Sequence, residues 1–317
     1  MKKFSRLVLA ATLAVSMIFG LTACSQKPAE EPAQQAEEKK PEIASIEEGK
    51  QGYFVDALWL KENADKVVVI DARADKEYAK GHVPGAINIT WQMLSNMQPK
   101  QGEIGWGVVL GKEELEKKLG SFGIDGSKDI VIYNDPKGLG EDGRVLWMLR
   151  IAGLENTRLL DGGYPMWLKA GGEESTDVPQ IAAVDFKIAN YNDSTLATTD
   201  MVKEKLGTAK LVDTRSPEEF EGKTDHGEKV RGRIPGAIHL HYQDLYNVDG
   251  TVKSIADLKA VFESKGLKPE DEIITYCTVG IRSGFTAEMM RMVGYENVRN
   301  YNASFSEWAG TDQEFEK

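Results

Sequence analysis

Short apolar, β-branched runs recur along the chain and alternate with stretches of helical periodicity. In the C-terminal half the pattern predicts a strand over 210–214, a helical turn at 217–220 and a short strand at 237–240. An amphipathic helix over 255–265, a strand over 272–276 and a helix over 285–293 closed by Gly294 follow. The N-terminal half takes the same course, with its later helices at 112–119 and 143–151. Alternation of this kind implies parallel strands joined by crossover helices, an α/β class.

The pattern is also an internal duplication. Leu211-Val212-Asp213-Thr214-Arg215, followed by Gly232-Arg233-Ile234-Pro235-Gly236-Ala237-Ile238, has its counterpart in Val69-Ile70-Asp71-Ala72-Arg73 and Gly81-His82-Val83-Pro84-Gly85-Ala86-Ile87. Gly153-Leu154-Glu155-Asn156 pairs with Gly294-Tyr295-Glu296-Asn297, and Trp167 with Trp308. Asp71 precedes Asp213 by the interval that separates Asp135 from Cys277, which sets Asp135 in copy one against the thiol of copy two. By that alignment copy one is expected to be inert, with Asp135 as a wall for the neighbouring loop and Pro136 removing one backbone donor.

Cys277 is the chemically informative residue, because the chain has only 2 cysteines and the other, Cys24, lies at the end of an N-terminal targeting pattern. It stands where an apolar strand meets a glycine-containing turn and a helix. Loop N–H groups, the positive end of the helix and Arg282 all favour a thiolate there. The peptide groups of Thr278, Val279, Gly280 and Ile281 can surround an anion in the manner of an oxyanion hole.

Cys277-Thr278-Val279-Gly280-Ile281-Arg282-Ser283, together with the Asp213-to-Leu240 segment upstream, resembles the active site of the rhodanese family, sulfurtransferases that carry a sulfane sulfur as a cysteine persulfide. The resemblance runs from about Tyr53 to Trp308. It implies two tandem domains, each a central parallel sheet flanked by helices, with a silent first copy and a catalytic second. Cys277 would be the nucleophile, and Arg215 and Arg282 would bind the donor, a small sulfur-bearing anion such as thiosulfate or 3-mercaptopyruvate. A thiophilic acceptor would complete the reaction without cofactor or metal. The Arg282-Ser283 ending favours thiosulfate. His239 and His241 suggest a metal only weakly, for want of a third ligand. The segment 222–231, an insertion relative to copy one, is expected to be a solvated loop or a lid.

Composition adds location. Basic residues Lys2, Lys3 and Arg6, an apolar stretch over 7–20 and Leu21-Thr22-Ala23-Cys24 resemble the leader and lipobox of bacterial lipoproteins. The expected division is a signal peptide at 1–23, a polar tether at 24–50 with lipidated Cys24 at its start, and rhodanese-like domains at 51–178 and 185–317. A net charge of −11, more negative once Lys2, Lys3 and Arg6 are removed, disfavours nucleic acid and leaves membrane attachment to the lipid. The expected location is the extracytoplasmic face of the cell membrane.

Two rival functions share these features. A cysteine-based phosphatase or arsenate reductase would use a longer loop, whereas only Thr278, Val279, Gly280 and Ile281 stand between Cys277 and Arg282 here. The other is a lipoprotein that binds persulfide without turnover.

Overall fold

The computed structural model describes residues 42–317. The leader, the lipobox with Cys24 and most of the tether lie outside the described residues.

Each half builds one sheet of 5 parallel strands. The first contains β1 (Phe54–Val55), β2 (Val68–Asp71), β3 (Ile87–Asn88), β4 (Ile130–Tyr133) and β5 (Thr157–Leu160), in the order β1-β5-β4-β2-β3. The second repeats it with β6 (Leu196–Ala197), β7 (Lys210–Asp213), β8 (Ile238–His239), β9 (Ile273–Tyr276) and β10 (Val298–Tyr301), in the order β6-β10-β9-β7-β8. β4 and β9 are buried along their whole length, because helices cover both faces of each sheet; this is why they read as unbroken apolar runs. Trp167 and Trp308 close the duplication, each donating its indole N–H to a carbonyl further on, Glu173 at 2.7 Å and Glu314 at 2.9 Å.

The sheet register corrects one sequence correspondence. Tyr133 lies opposite Asp71, and Tyr276 lies opposite Asp213, so the residue after each tyrosine is the structural equivalent of the other. Cys277 is therefore matched by Asn134, not Asp135. The backbone confirms the match: Asn134 O accepts from Tyr164 N–H at 2.9 Å, and Cys277 O accepts from Phe305 N–H at 3.0 Å. A constant interval misses this match because copy two has one more residue between Asp213 and Tyr276 than copy one has between Asp71 and Tyr133; beyond the match the loops differ further, running from Asn134 to Gly140 in copy one but only from Cys277 to Gly280 in copy two.

Both loops end at a left-handed glycine that caps a helix, Gly140 at φ 78° and Gly280 at φ 81°. The following helices, Glu141–Ile151 and Ile281–Met292, begin directly after these caps, earlier than the sequence pattern indicates. They pack on one another at the junction of the two copies. A Cβ on Gly143 would lie 2.6 Å from Phe285 Cβ, so the close crossing depends on that glycine. Phe285 stacks on Tyr246 at 4.9 Å, Arg150 pairs with Glu288 at 2.7 Å, and a single apolar cluster runs from Ile132 and Leu146 of copy one into Met289 and Phe262 of copy two. One apolar cluster is thus shared by the two copies, and each copy keeps a second cluster of its own, around Leu60 and Trp167 in copy one and around Leu211 and Trp308 in copy two.

Candidate active site

Cys277 closes β9 with its thiol almost wholly enclosed, at 1% exposure. Its own N–H donates to Ser304 Oγ at 3.2 Å, and Ser304 in turn donates to Tyr301 O at 2.6 Å. Ser304 adopts φ 55°, an unusual conformation for a side-chain-bearing residue, where copy one has Gly163 at φ 58°. Its hydroxyl stabilises the start of the cysteine loop, a role glycine could not fill.

Gly280 N–H donates to Cys277 Sγ at 3.1 Å. Burial alone would push the thiol up. Against it act the charge of Arg282, the N–H and hydroxyl of Ser283 and the N–H of Val279, and together they hold the thiol below its ordinary value. Among the expected cradle residues, Val279 and Gly280 thus direct donors at the sulfur; Thr278 and Ile281 do not enter in that way. Ile281 starts the helix, and the Thr278 side chain serves the neighbouring ion pair.

That pair ties Arg282 to Glu219. The guanidinium forks onto the carboxylate at 2.6 Å and 2.8 Å and donates to Thr278 Oγ1 at 2.8 Å, while Thr278 Oγ1 donates to Glu219 Oε1 at 3.0 Å. Burial disfavours the Glu219 charge, yet Arg282, the Ser216 N–H and the Thr278 hydroxyl outweigh it and lower the carboxyl to about 2. Glu219 also closes a capping box with Ser216 at the start of the helix Pro217–Phe220. Sequence reasoning missed its second task because the pairing is non-local; only the capping box was visible. Arg282 is consequently a charge beside the sulfur rather than a free fork for the donor.

Arg215 does not join the sulfur. Its guanidinium clamps Asp213 at 3.0 Å and 2.6 Å and donates to Gly232 O at 2.7 Å, with Phe305 4.2 Å below its plane. Arg73 makes the same clamp to Asp71 and Gly81 O in the copy without a thiol. The physical role this geometry gives Arg215 is to hold the loop after β7, in place of the donor contact expected of it. His239 donates its Nε2–H to Arg215 O, 2.8 Å away, and stacks on Phe220, so its ring is engaged in packing. The inserted segment is docked rather than free: His226 O accepts from Gln101 of copy one at 2.9 Å, and the His226 ring reaches within 3.5 Å of Glu219.

Copy one inverts the polarity of the same place. Asn134 Nδ2 donates to Glu141 Oε2 at 2.5 Å, and the second helical residue, Arg282 in copy two, is Asp142. Burial pushes Asp142 up to about 7. Copy two also seals this place, since Asp161 accepts from Val252 N–H at 2.8 Å and from Lys50 Nζ at 3.2 Å, while Lys50 reaches Val252 O at 2.9 Å. The loop around Asp135 touches copy two through the Tyr242 hydroxyl, which donates to Gly138 O at 2.5 Å. A cavity of about 350 Å³ lined by Ile104, Val108, Leu196, Asn302 and Glu307 lies between the copies, but Cys277 is not in its wall.

A thiol held ionisable by converging peptide N–H groups at the carboxyl end of a parallel strand is a site for nucleophilic attack on, and storage of, an anionic group. The chain belongs to the rhodanese family: the rhodanese-like domain matches it twice, over residues 55–170 and 198–311. It is 30% identical to the thiosulfate sulfurtransferase of Pseudomonas aeruginosa over 247 residues, 77% of this chain and 89% of that protein. It is 29% identical to a sulfur carrier protein of Thermus thermophilus over 271 residues, 80% of this chain and 93% of that protein. Among solved structures, the anaerobic ergothioneine biosynthesis enzyme from Chlorobium limicola shares the fold, with a TM-score of 0.75 at 24% identity over 84% of this chain and 70% of that one. These relatives place the chain among the sulfurtransferases.

Proposed function

We propose that this protein moves a sulfane sulfur from thiosulfate to a thiophilic acceptor through a persulfide on Cys277. The Cys277 thiolate attacks the outer sulfur of thiosulfate, a new S–S bond forms, and sulfite leaves with the electron pair of the old one. An acceptor such as cyanide then attacks the outer sulfur, thiocyanate departs, and the thiolate returns. The supporting observation is the 3.1 Å contact from Gly280 N–H to Cys277 Sγ, a donor already aimed at the atom that carries the negative charge of the attacking thiolate and that regains it when the persulfide is discharged. The short turn from Cys277 to Gly280 favours one transferable sulfur over a phosphoryl group with its several oxygens. Thiosulfate is favoured over 3-mercaptopyruvate because the cradle consists mainly of peptide N–H groups and Arg282 is committed to Glu219, which leaves no free fork for a carboxylate.

Cys277→Ser should abolish thiocyanate formation from thiosulfate and cyanide, and the parent protein should leave aryl phosphates intact. Residual turnover in the serine variant, or phosphatase activity in the parent, would overturn the assignment. The lipobox supports a second part of the proposal, that Cys24 carries lipid and anchors the enzyme outside the cytoplasm. Cys24→Ala should move the protein out of the membrane fraction and end metabolic fatty-acid labelling; labelling that persisted would refute the anchor.

A further inference from the structure

Arg144 is a cation at the head of an apolar run, Val145-Leu146-Trp147-Met148-Leu149, and it is fully buried at 0% exposure. A buried guanidinium is costly unless charge compensates it. Its polar contacts among the described residues are neutral carbonyls: Nη1 donates to Gly280 O and Nη2 to Gly107 O, each at 2.9 Å, while Nε is buried without a partner. The rings of Trp147 and Trp91 lie 5.1 Å and 5.9 Å away and offset part of the cost. Among the described residues no salt bridge takes up the remainder.

Gly280 connects this cation to the sulfur. Its N–H meets Cys277 Sγ at 3.1 Å, and its carbonyl accepts from both Arg144 and Asn300 Nδ2, the latter at 3.2 Å. A Cβ on Gly280 would collide with the Arg144 guanidinium and the Asn302 carbonyl, so the loop closes directly on the arginine. The other charged or titratable groups around the thiol are Arg282 from its own helix, Glu219 from the helix Pro217–Phe220, and Tyr242 and His241 from the segment after β8. Arg282 is the strongest single charge on the thiol, but Glu219 neutralises it at 2.6 Å. Arg144 has no such carboxylate. Burial lowers its own basicity to about 9, and the charge that works in the other direction is Cys277.

The geometry points to Arg144, supplied by the copy that lacks a thiol, as a positioning residue of the sulfur site: it fixes the Gly280 peptide and provides the unneutralised positive charge for the Cys277 thiolate and persulfide. This rests on the reading of Cys277 as sulfur carrier, and it gives the silent copy a part in the chemistry of the other.

The test is alkylation of Cys277 by iodoacetamide across pH in the full chain, followed by peptide mass spectrometry, which needs no sulfur donor. Arg144→Met should shift the thiol midpoint up by about one pH unit and slow alkylation at neutral pH about tenfold. Arg144→Lys, which keeps the charge but not the two-armed bridge, should stay within a few tenths of a unit of the parent while still losing sulfur transfer. Identical profiles for all three proteins, or equal shifts for the methionine and lysine variants, would overturn the proposal. Either result would leave thiocyanate formation by the parent, and so the sulfurtransferase reading, intact. If Arg144→Met does not fold, Arg144→Gln, which keeps a polar side chain but no charge, decides by the same alkylation profile: its midpoint should rise as for methionine, and a parental midpoint would overturn the proposal.

Discussion

After β9 the backbone turns from Cys277 to Gly280 and becomes a helix, whereas after β4 it runs from Asn134 to Gly140 before doing the same. The short path aims Val279 and Gly280 N–H groups at a sulfur, with Arg282 beside it. The longer path folds back on the side chain of Glu141, which accepts from Asn134 and from Leu139 N–H, and it sets Asp142 where the other copy has Arg282. The two copies thus share a scaffold down to the Asp-Arg clamp and diverge in the local charge of one loop. In the proposed reaction the positive loop is the one that serves sulfur chemistry. The negative loop is sealed by Lys50 and Val252 and has become an interface.

The sharpest way to erase that difference is Arg282→Ala. It removes the positive charge beside the sulfur, so kcat/KM for thiosulfate should fall about 10- to 1000-fold, equivalent to roughly 1.5–4 kcal/mol of transition-state stabilisation. The loss should appear together with a higher thiol midpoint; a variant with parental kinetics would show that the cradle amides suffice.

The next contrast is in acid and base stability. Glu219 is lower in the folded than in the unfolded state, so it adds stability at neutral pH and loses it as pH falls from about 4 towards 2. Asp142 has the opposite sign. Raised to about 7, it contributes stability below the unfolded carboxylate range that is lost as pH rises through about 7. Asp142→Asn should therefore stabilise the protein at pH 8 by about 1–3 kcal/mol and by little at pH 4. Thermal melts at the two pH values check this, and a gain confined to the acid side would contradict it.

The smallest effect is expected from Asn134→Cys. A thiol placed there has the strand and the clamp of the active copy, but acids in place of Arg282. Its midpoint should lie above that of Cys277, and in a Cys277→Ser background it should give no measurable thiocyanate. Turnover in that variant would mean the strand end alone makes the site.

Much of this was legible in the chain. Fully apolar strands, a shared Asp-x-Arg segment and matching Gly and Trp positions were enough to read two parallel α/β copies, because those features depend on local periodicity and on burial from both sides. Cys277 was legible because its strand, turn and helix are contiguous. The pairing of Cys277 with Asn134 was hidden by one extra residue in copy two between Asp213 and Tyr276, since only sheet register separates the true match from a constant interval. The engagement of Arg282 with Glu219 and of Arg215 with Asp213, both arginines having been expected to face the donor, was hidden for a related reason: an arginine's partner is set by tertiary packing. Arg144 did leave a trace, a cation directly before the apolar run Val145 to Leu149, which is the kind of local conflict that marks a functional constraint.

The central claim is that one copy holds the sulfur and the other does not. Intact-protein and peptide mass spectrometry of the full chain after treatment with thiosulfate measures it directly. The account predicts one added sulfur per chain, located on the peptide containing Cys277, lost on addition of cyanide and absent from Cys277→Ser. Added sulfur that persisted in Cys277→Ser, or that mapped to any other residue and turned over equally fast, would contradict it.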